Sequence, residues 1–268
     1  MKRFLTRGPK EGRCNICGEF GQLTEDHTPP KGSVRVTQME VNHLTSVLGA
    51  DRPGPKPRIS QNGVKFRTLC KRCNNSALGL NYDLAFNDFT QGIKSYLTSS
   101  IKLPSVMYVS GKPGKIARAV FGHLSAVGVD RFHEGDRSDE MMEWFLDESL
   151  PMPSRLRIKY WVYPYKTQIL IRDSAIRDLR AQDAAVFWLM KFFPVAFLVL
   201  WDSPSGYEYP QFADLARWGN ADPEAEIELP IYLNSVPHER WPEAPEDHSF
   251  LLYGEGAVAA NARIKRRS

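Results

Sequence analysis

The only four cysteines in this 268-residue chain form two Cys-x-x-Cys pairs, Cys14-Asn15-Ile16-Cys17 and Cys70-Lys71-Arg72-Cys73, with 52 residues between them. Each pair offers two sulfurs at a spacing that suits a tight turn around one ion. Four soft ligands in a tetrahedron match Zn²⁺ and close the site against water. The alternative is disulfide bonding, but secreted disulfide scaffolds are usually smaller and richer in cysteine. The pairing dictates that the segment between them leaves the metal and returns to it. Metal binding should therefore contribute directly to folding.

The basic charge sits beside these cysteines. Residues 1–75 hold 14 Lys and Arg against 6 Asp and Glu, whereas residues 76–260 hold 17 against 25. Arg263, Lys265, Arg266 and Arg267 then make a basic tail. A polyanion partner near the cysteine module is the natural reading, and a solvated surface with a chance imbalance is the alternative. The composition, 42% hydrophobic and 25% charged, is that of a soluble globular protein. No apolar run is long enough to span a membrane, and the basic start lacks the apolar core of a signal peptide. A cytoplasmic protein with no membrane partner is expected.

A second motif, Thr24-Glu25-Asp26-His27-Thr28-Pro29-Pro30, follows the first cysteine pair, and Asn74-Asn75 follow the last. In this order, Cys-x-x-Cys, acidic-His-x-x-Pro and Cys-x-x-Cys-Asn, residues 13–80 resemble the HNH endonuclease superfamily in its variant with two cysteine knuckles. The resemblance implies a zinc-stapled ββα-metal module of treble-clef type. It implies His27 as general base, and Asp26 and Asn74 as ligands of a catalytic Mg²⁺ or Mn²⁺. Cys14, Cys17, Cys70 and Cys73 would hold the structural zinc. Each role has a chemical reason. A histidine titrates near neutral pH. Carboxylate and amide oxygens are hard ligands for such a cation, which stabilises a departing oxyanion. Glu25 and Asn75 are the fallback ligands. The chain departs from the pattern at the middle position, where Lys65 stands in place of an asparagine that orients the histidine. Asn62, Asn42 and His43 are the nearby candidates for that task.

The structural alternatives are a surface or packed role for His27, a turn role for Asp26 and a helix N-cap for Asn74. Arg67, Lys71 and Arg72 are candidate phosphate contacts. His123 falls within an apolar helical pattern and reads as packed or partly exposed rather than catalytic, and His133-Glu134 is too common a dipeptide to assign. The aromatic stretches Tyr160 to Tyr165 and Phe187 to Phe193 could stack nucleobases, but core packing is the more usual role.

The rest of the chain reads as α+β. A basic lead-in covers residues 1–12. Residues 28–63, rich in Pro and Gly, read as a long inserted loop broken at Pro53-Gly54-Pro55-Lys56-Pro57. Val64 to Leu69 alternates as a strand. A helix starts near Cys73 or Asn74 and runs, with a break at Gly79, through Tyr82, Phe86, Phe89, Ile93 and Leu97. Strand Ser105–Ser110 and helices Pro113–Val127 and Ser138–Leu150, the last with Ser138 as N-cap, follow. Arg155–Tyr163 and Gln168–Arg172 suggest a hairpin turned at Pro164-Tyr165-Lys166. Ala184–Met190 and Ala196–Trp201 suggest another, around Phe192-Phe193-Pro194. Residues 203–248 are rich in Pro and acidic residues, with one strand at Ile227–Leu233. The expected organisation is an HNH-like module over 1–99, with its insertion at 28–63, then an α+β domain over 100–268. The expected function is metal-dependent cleavage of nucleic acid, with DNA the favoured substrate and a homodimer a workable assembly. The alternatives are a non-catalytic nucleic-acid-binding module and an interaction scaffold.

Overall fold

The computed structural model describes residues 6–48, 57–132, 136–178, 184–201, 212–244, 249–254 and 257–263. Residues 1–5 of the lead-in, Pro53 to Pro55 of the insertion, the His133-Glu134 pair and Lys265 to Arg267 of the tail lie outside them.

In chain order the first elements are β1 (Glu11–Arg13), β2 (Phe20–His27), β3 (Met39–His43), α1 (Thr45–Leu48), β4 (Arg58–Ser60) and β5 (Lys65–Cys70). A π-helix (Arg72–Tyr82) then runs into α2 (Asp83–Leu97). β6 (Val106–Gly111), α3 (Pro113–Ser125), α4 (Asp136–Leu146), β7 (Leu156–Val162) and β8 (Gln168–Asp178) follow. The chain closes with β9 (Ala184–Phe192), β10 (Val195–Trp201), β11 (Ala213–Asp214), β12 (Ile227–Tyr232), β13 (Ser249–Leu252) and β14 (Val258–Ala262). The fold is mixed α and β, mostly antiparallel sheet.

β1, β2 and β5 make a small sheet that carries the cysteine segment. A nine-stranded sheet runs in the order β11-β7-β10-β9-β8-β14-β3-β4, with β13 also paired to β8. β6 and β12 pair separately. The central strands are apolar on both faces, as strands covered on both sides must be. Along β10, Val195, Phe197 and Val199 join one core while Ala196, Leu198 and Leu200 join the other. The first core lies under α2 and α3, where Phe86 meets Phe192 and Phe197, and Phe89 meets Tyr160 edge-on. It continues without interruption from Cys14 to Ala260, through elements on both sides of residue 100. The second core centres on Trp161, stacked on Phe212 and edge-on to Trp241.

Several expectations are corrected. The insertion is not a plain loop. Its β3 pairs with β14, close to the end of the chain, and with β4. Met39 and Val41 are buried while Glu40 between them is not, but the partner lies some two hundred residues away and leaves no local signal. The residues of β7 and β8 do not form a hairpin. β7 pairs with β10 and β11, and β8 with β9, β13 and β14. The more apolar β9–β10 hairpin takes the central places between them. The helix after Cys70 starts at Arg72 and passes Gly79 without a break, because it is π-wound there: the backbone N–H of Asp83 reaches Leu78 O. Asn74 therefore lies within its first turn and does not cap it. α4 begins at Asp136, so Ser138 is inside it. Gln168–Arg172 extends to Asp178. The strands expected at Val64–Leu69, Ser105–Ser110 and Ile227–Leu233, helix Pro113–Val127 and the β9–β10 hairpin all occur, with ends shifted by one or two residues. Tyr160, Trp161, Tyr163, Phe187 and Phe192 are buried core residues, not a stacking surface.

Gly122 lets α3 press against the π-helix and α4. A Cβ there would stand 2.5 Å from Leu78 Cδ2 and 2.7 Å from Phe145 Cε2. Gly122→Val should therefore lower the unfolding free energy by about 1–3 kcal/mol or more through overpacking. Urea denaturation checks this, and a wild-type midpoint would show that the helices separate freely.

Candidate metal centre and hairpin histidine

The first Cys-x-x-Cys forms a tight knuckle because Gly18 adopts φ +68° and donates its N–H to Cys14 O at 2.9 Å. The second pair straddles the end of β5 and the first turn of the π-helix. The four Sγ atoms lie within 4.8 Å of one another. Cys17 and Cys70 Sγ are 3.8 Å apart. That is far beyond a disulfide bond and close to the edge of about 3.8 Å of a tetrahedron with Zn–S near 2.3 Å. The Cys70 backbone N–H also points to Cys14 Sγ at 3.3 Å, a donor suited to a thiolate.

Ionisation of these neighbours is mutually opposed. Hydrogen bonding among the sulfurs pushes Cys14 and Cys70 down and Cys17 and Cys73 up. A dication removes the conflict by stabilising all four thiolates together. The cluster can hold a zinc ion.

The knuckle is anchored beyond its sulfurs. Buried Asn15 donates Nδ2 to Ser125 O at 3.0 Å and to Gly128 O at 2.9 Å, and its Oδ1 accepts from Arg131 N. Thr68 of β5 donates to Ala126 O. Arg172 of the large sheet, fully buried, reaches Ser125 O and Arg131 O from the other side.

His27 ends β2, opposite Lys65 of β5. Its Nε2 is 3.0 Å from Asn62 O. A carbonyl can only accept, so Nε2 carries the proton and the neutral ring has its lone pair on Nδ1. No hydrogen bond among the described residues reaches Nδ1. Asn62 and Gly63 turn at φ +59° and +85°, which aims this carbonyl at the ring; asparagine and glycine tolerate that region. Burial lowers the His27 pKa, aided by Lys31 and Lys65 and opposed by Asp26. The half-buried ring is therefore a free base at neutral pH.

Asp26 faces the other way. The register of β2 shifts between Thr24 and Glu25, so Leu23 and Asp26, three apart, are both buried. Asp26 Oδ2 accepts from Thr28 Oγ1 and from His123 Nδ1, each at 2.9 Å. His123 Nε2 in turn meets Asp83 Oδ1 at 2.8 Å. Burial alone would lower the His123 pKa, but Asp26 and Asp83 together raise it to about 10, so the ring is an imidazolium. Asn74 Nδ2 donates to Thr24 Oγ1 at 2.8 Å, which ties the π-helix to β2. Among the described residues, no hydrogen bond reaches Asp26 Oδ1 or Asn74 Oδ1.

The remaining candidates are placed as follows. Glu25 pairs with Arg7 and Lys65, whose charges, with that of Arg67, hold its carboxyl low against the effect of burial. Asn75 is exposed. Asn42 pairs with Ala259 inside the large sheet, and His43 Nδ1 meets Thr45 Oγ1. Of the middle-position candidates, Asn62 bonds His27 through its backbone O, and Lys65 is its cross-strand partner. Arg67 spends its Nε on Gly8 O. Lys71 and Arg72 are exposed, and Arg72 has a loose ion pair with Glu19. Sequence reasoning missed Asp83 and the importance of His123. Every residue of α3 from Ile116 to Ser125 is buried, so a histidine there requires polar partners, and that was the available signal. Among the described residues no helix is long and apolar enough to cross a membrane.

No protein-family model matches the chain, and neither a curated protein nor a solved structure matches it.

Elemental analysis of purified protein should find one zinc per chain. Cys70→Ser should lose it and unfold at markedly lower temperature, because metal binding energy is folding energy here. A metal-free protein of wild-type stability would reject the assignment.

Proposed function

We propose that this protein is a metal-dependent endonuclease of HNH type that hydrolyses phosphodiester bonds, with DNA the favoured substrate. One observation carries the reading: His27 stands at the end of a hairpin stapled by four cysteines, with Nε2 committed to Asn62 O and Nδ1 left as a base. Two strands followed by a helix that begins between the second pair of cysteines is the arrangement expected of a ββα-metal module. The tautomer is the one a general base needs. The Asn62 carbonyl does what the side chain missing at Lys65 would have done.

In this reading His27 Nδ1 takes the proton from an attacking water. Asp26 and Asn74 would hold Mg²⁺ or Mn²⁺ through Oδ1 of each, and the ion would supply charge stabilisation for the leaving oxygen. Two protein oxygens suit Mg²⁺, which keeps several waters. Lys71 and Arg72 would contact phosphates, as exposed cations beside the helix start. Arg67 is the weaker candidate, since Gly8 holds it. The cysteine cluster would hold the zinc as a closed structural site.

The burial of Asp26 and its tie to His123 favour a second reading, in which the same fold grips nucleic acid without cutting it. Cleavage of plasmid, linear DNA, single-stranded DNA and RNA with Mg²⁺, Mn²⁺ or EDTA separates the two. Wild type should cut with added metal, and zinc-loaded His27→Ala should lose about 100- to 10,000-fold. Binding with steep salt dependence but no cleavage of any substrate would favour the binding module. Asn62→Gly should cut like wild type, because the carbonyl is backbone and glycine accepts the φ of that residue. Loss of cleavage in folded Asn62→Gly would move the role to the side chain.

A further inference from the structure

Three features are not explained by the proposed chemistry alone. The Lys191–Glu243 pair is buried beside Tyr163 and Trp241 of the second core, and Lys191 spends its remaining donors on backbone carbonyls. Leu80 and Leu84 are exposed one turn apart, but nothing indicates what covers them. The third, a carboxylate–imidazole–carboxylate array, joins the candidate site to two elements beyond the HNH-like motif.

His123 is 1% exposed and sits in the last turn of α3. Its two ring nitrogens bond Asp26 of β2 and Asp83, the first residue of α2. Phe86, one turn along α2, lies 6.2 Å from the ring, centroid to centroid, and limits its swing. Thr28 adds a second donor on the same oxygen of Asp26. That oxygen is thus held by two donors from different parts of the chain, while Oδ1 is held by none among the described residues. A carboxylate gripped in this way cannot rotate to exchange its oxygens.

We propose that His123, itself fixed by Asp83, is a positioning residue that locks the Asp26 carboxylate with Oδ1 presented to a divalent cation. The proposal rests on the nuclease reading for the presence of that cation. The physical reason is general: a metal ligand whose second oxygen is held by hydrogen bonds loses less freedom on binding, and such outer partners carry much of a site's affinity. The array also links the cation to α2 and α3, so the site is completed by residues that the motif over 13–80 does not contain. A purely structural role would instead require only that Asp26 be neutralised in the core.

The test is Mn²⁺ binding to zinc-loaded protein, read by electron paramagnetic resonance, alongside the Mn²⁺ dependence of DNA cleavage. His123→Gln keeps a donor but cannot bridge both carboxylates. Asp83→Asn keeps an acceptor toward the ring, leaves Asp26 untouched and guards against a His123 variant that fails to fold. His123→Gln should weaken Mn²⁺ binding by about 10- to 100-fold, and raise the Mn²⁺ needed for half-maximal cleavage by a similar factor. Cleavage at saturating metal should change less. Asp83→Asn should shift both in the same direction by a smaller factor. If the wild type binds Mn²⁺ and cuts, while both folded variants bind it as tightly as wild type, the array is structural and the proposal is overturned with the nuclease reading intact. If the wild type neither binds Mn²⁺ nor cuts, the nuclease reading fails and the proposal falls with it.

Discussion

Four sulfur atoms within 4.8 Å of one another set the geometry of the N-terminal third, because they bring together a knuckle, the end of a strand and the start of a helix. Leu23 of β2 and Phe66 and Leu69 of β5 add buried apolar contacts to the main core, and the sulfurs fix the ends of those strands. The cluster's influence reaches further through hydrogen bonds. Asn15, inside the knuckle, and Thr68, on β5, both bond the turn after α3, and Arg172 bonds the same turn from the large sheet. The carbonyl of Ser125 serves Asn15 and Arg172 at once. A fault in the cluster would thus be felt in the central sheet, and the reverse holds as well.

The insertion adds a second connection. β3 and β4 lie between two residues of the same small sheet, His27 and Lys65, yet they extend the large one, β3 pairing with the last described strand and β4 with β3. The long excursion costs loop-closure entropy, which grows only slowly with length. In return it places the Asn62–Gly63 turn against His27, with Gly63 N bonded to Thr37 O. A feature that composition marks as a loose loop thus orients the histidine.

Two opposite demands meet on β2. Its buried side must satisfy Asp26 in an apolar surround, and His123 with Thr28 does so, since an unpaired carboxylate there would cost several kcal/mol, on the order of a lost buried ion-pair partner. Its other side carries His27, whose Nε2 needs an acceptor and finds it in Asn62 O. Successive strand residues face opposite ways, so the adjacent Asp26 and His27 can meet both demands without competing for the same partners.

Local features were legible from residue types and spacing: the cysteine cluster, the apolar stripe of α2 and α3, and the strong β9–β10 hairpin. Periodicity reports which face of an element is buried, and cysteine spacing reports a shared ligand, so both survive in one dimension. Only the tertiary structure decided which elements are neighbours. The β7–β10 and β3–β14 pairings join strands by backbone hydrogen bonds, which carry no residue signature. The Asn62 carbonyl on His27 is backbone too, and equally without a residue signature. His123 and Asp83 lie 97 and 57 residues beyond Asp26 in the chain, and only packing brings them to it. Buried polar groups must find partners wherever the fold supplies them, and the chain order does not say where that will be.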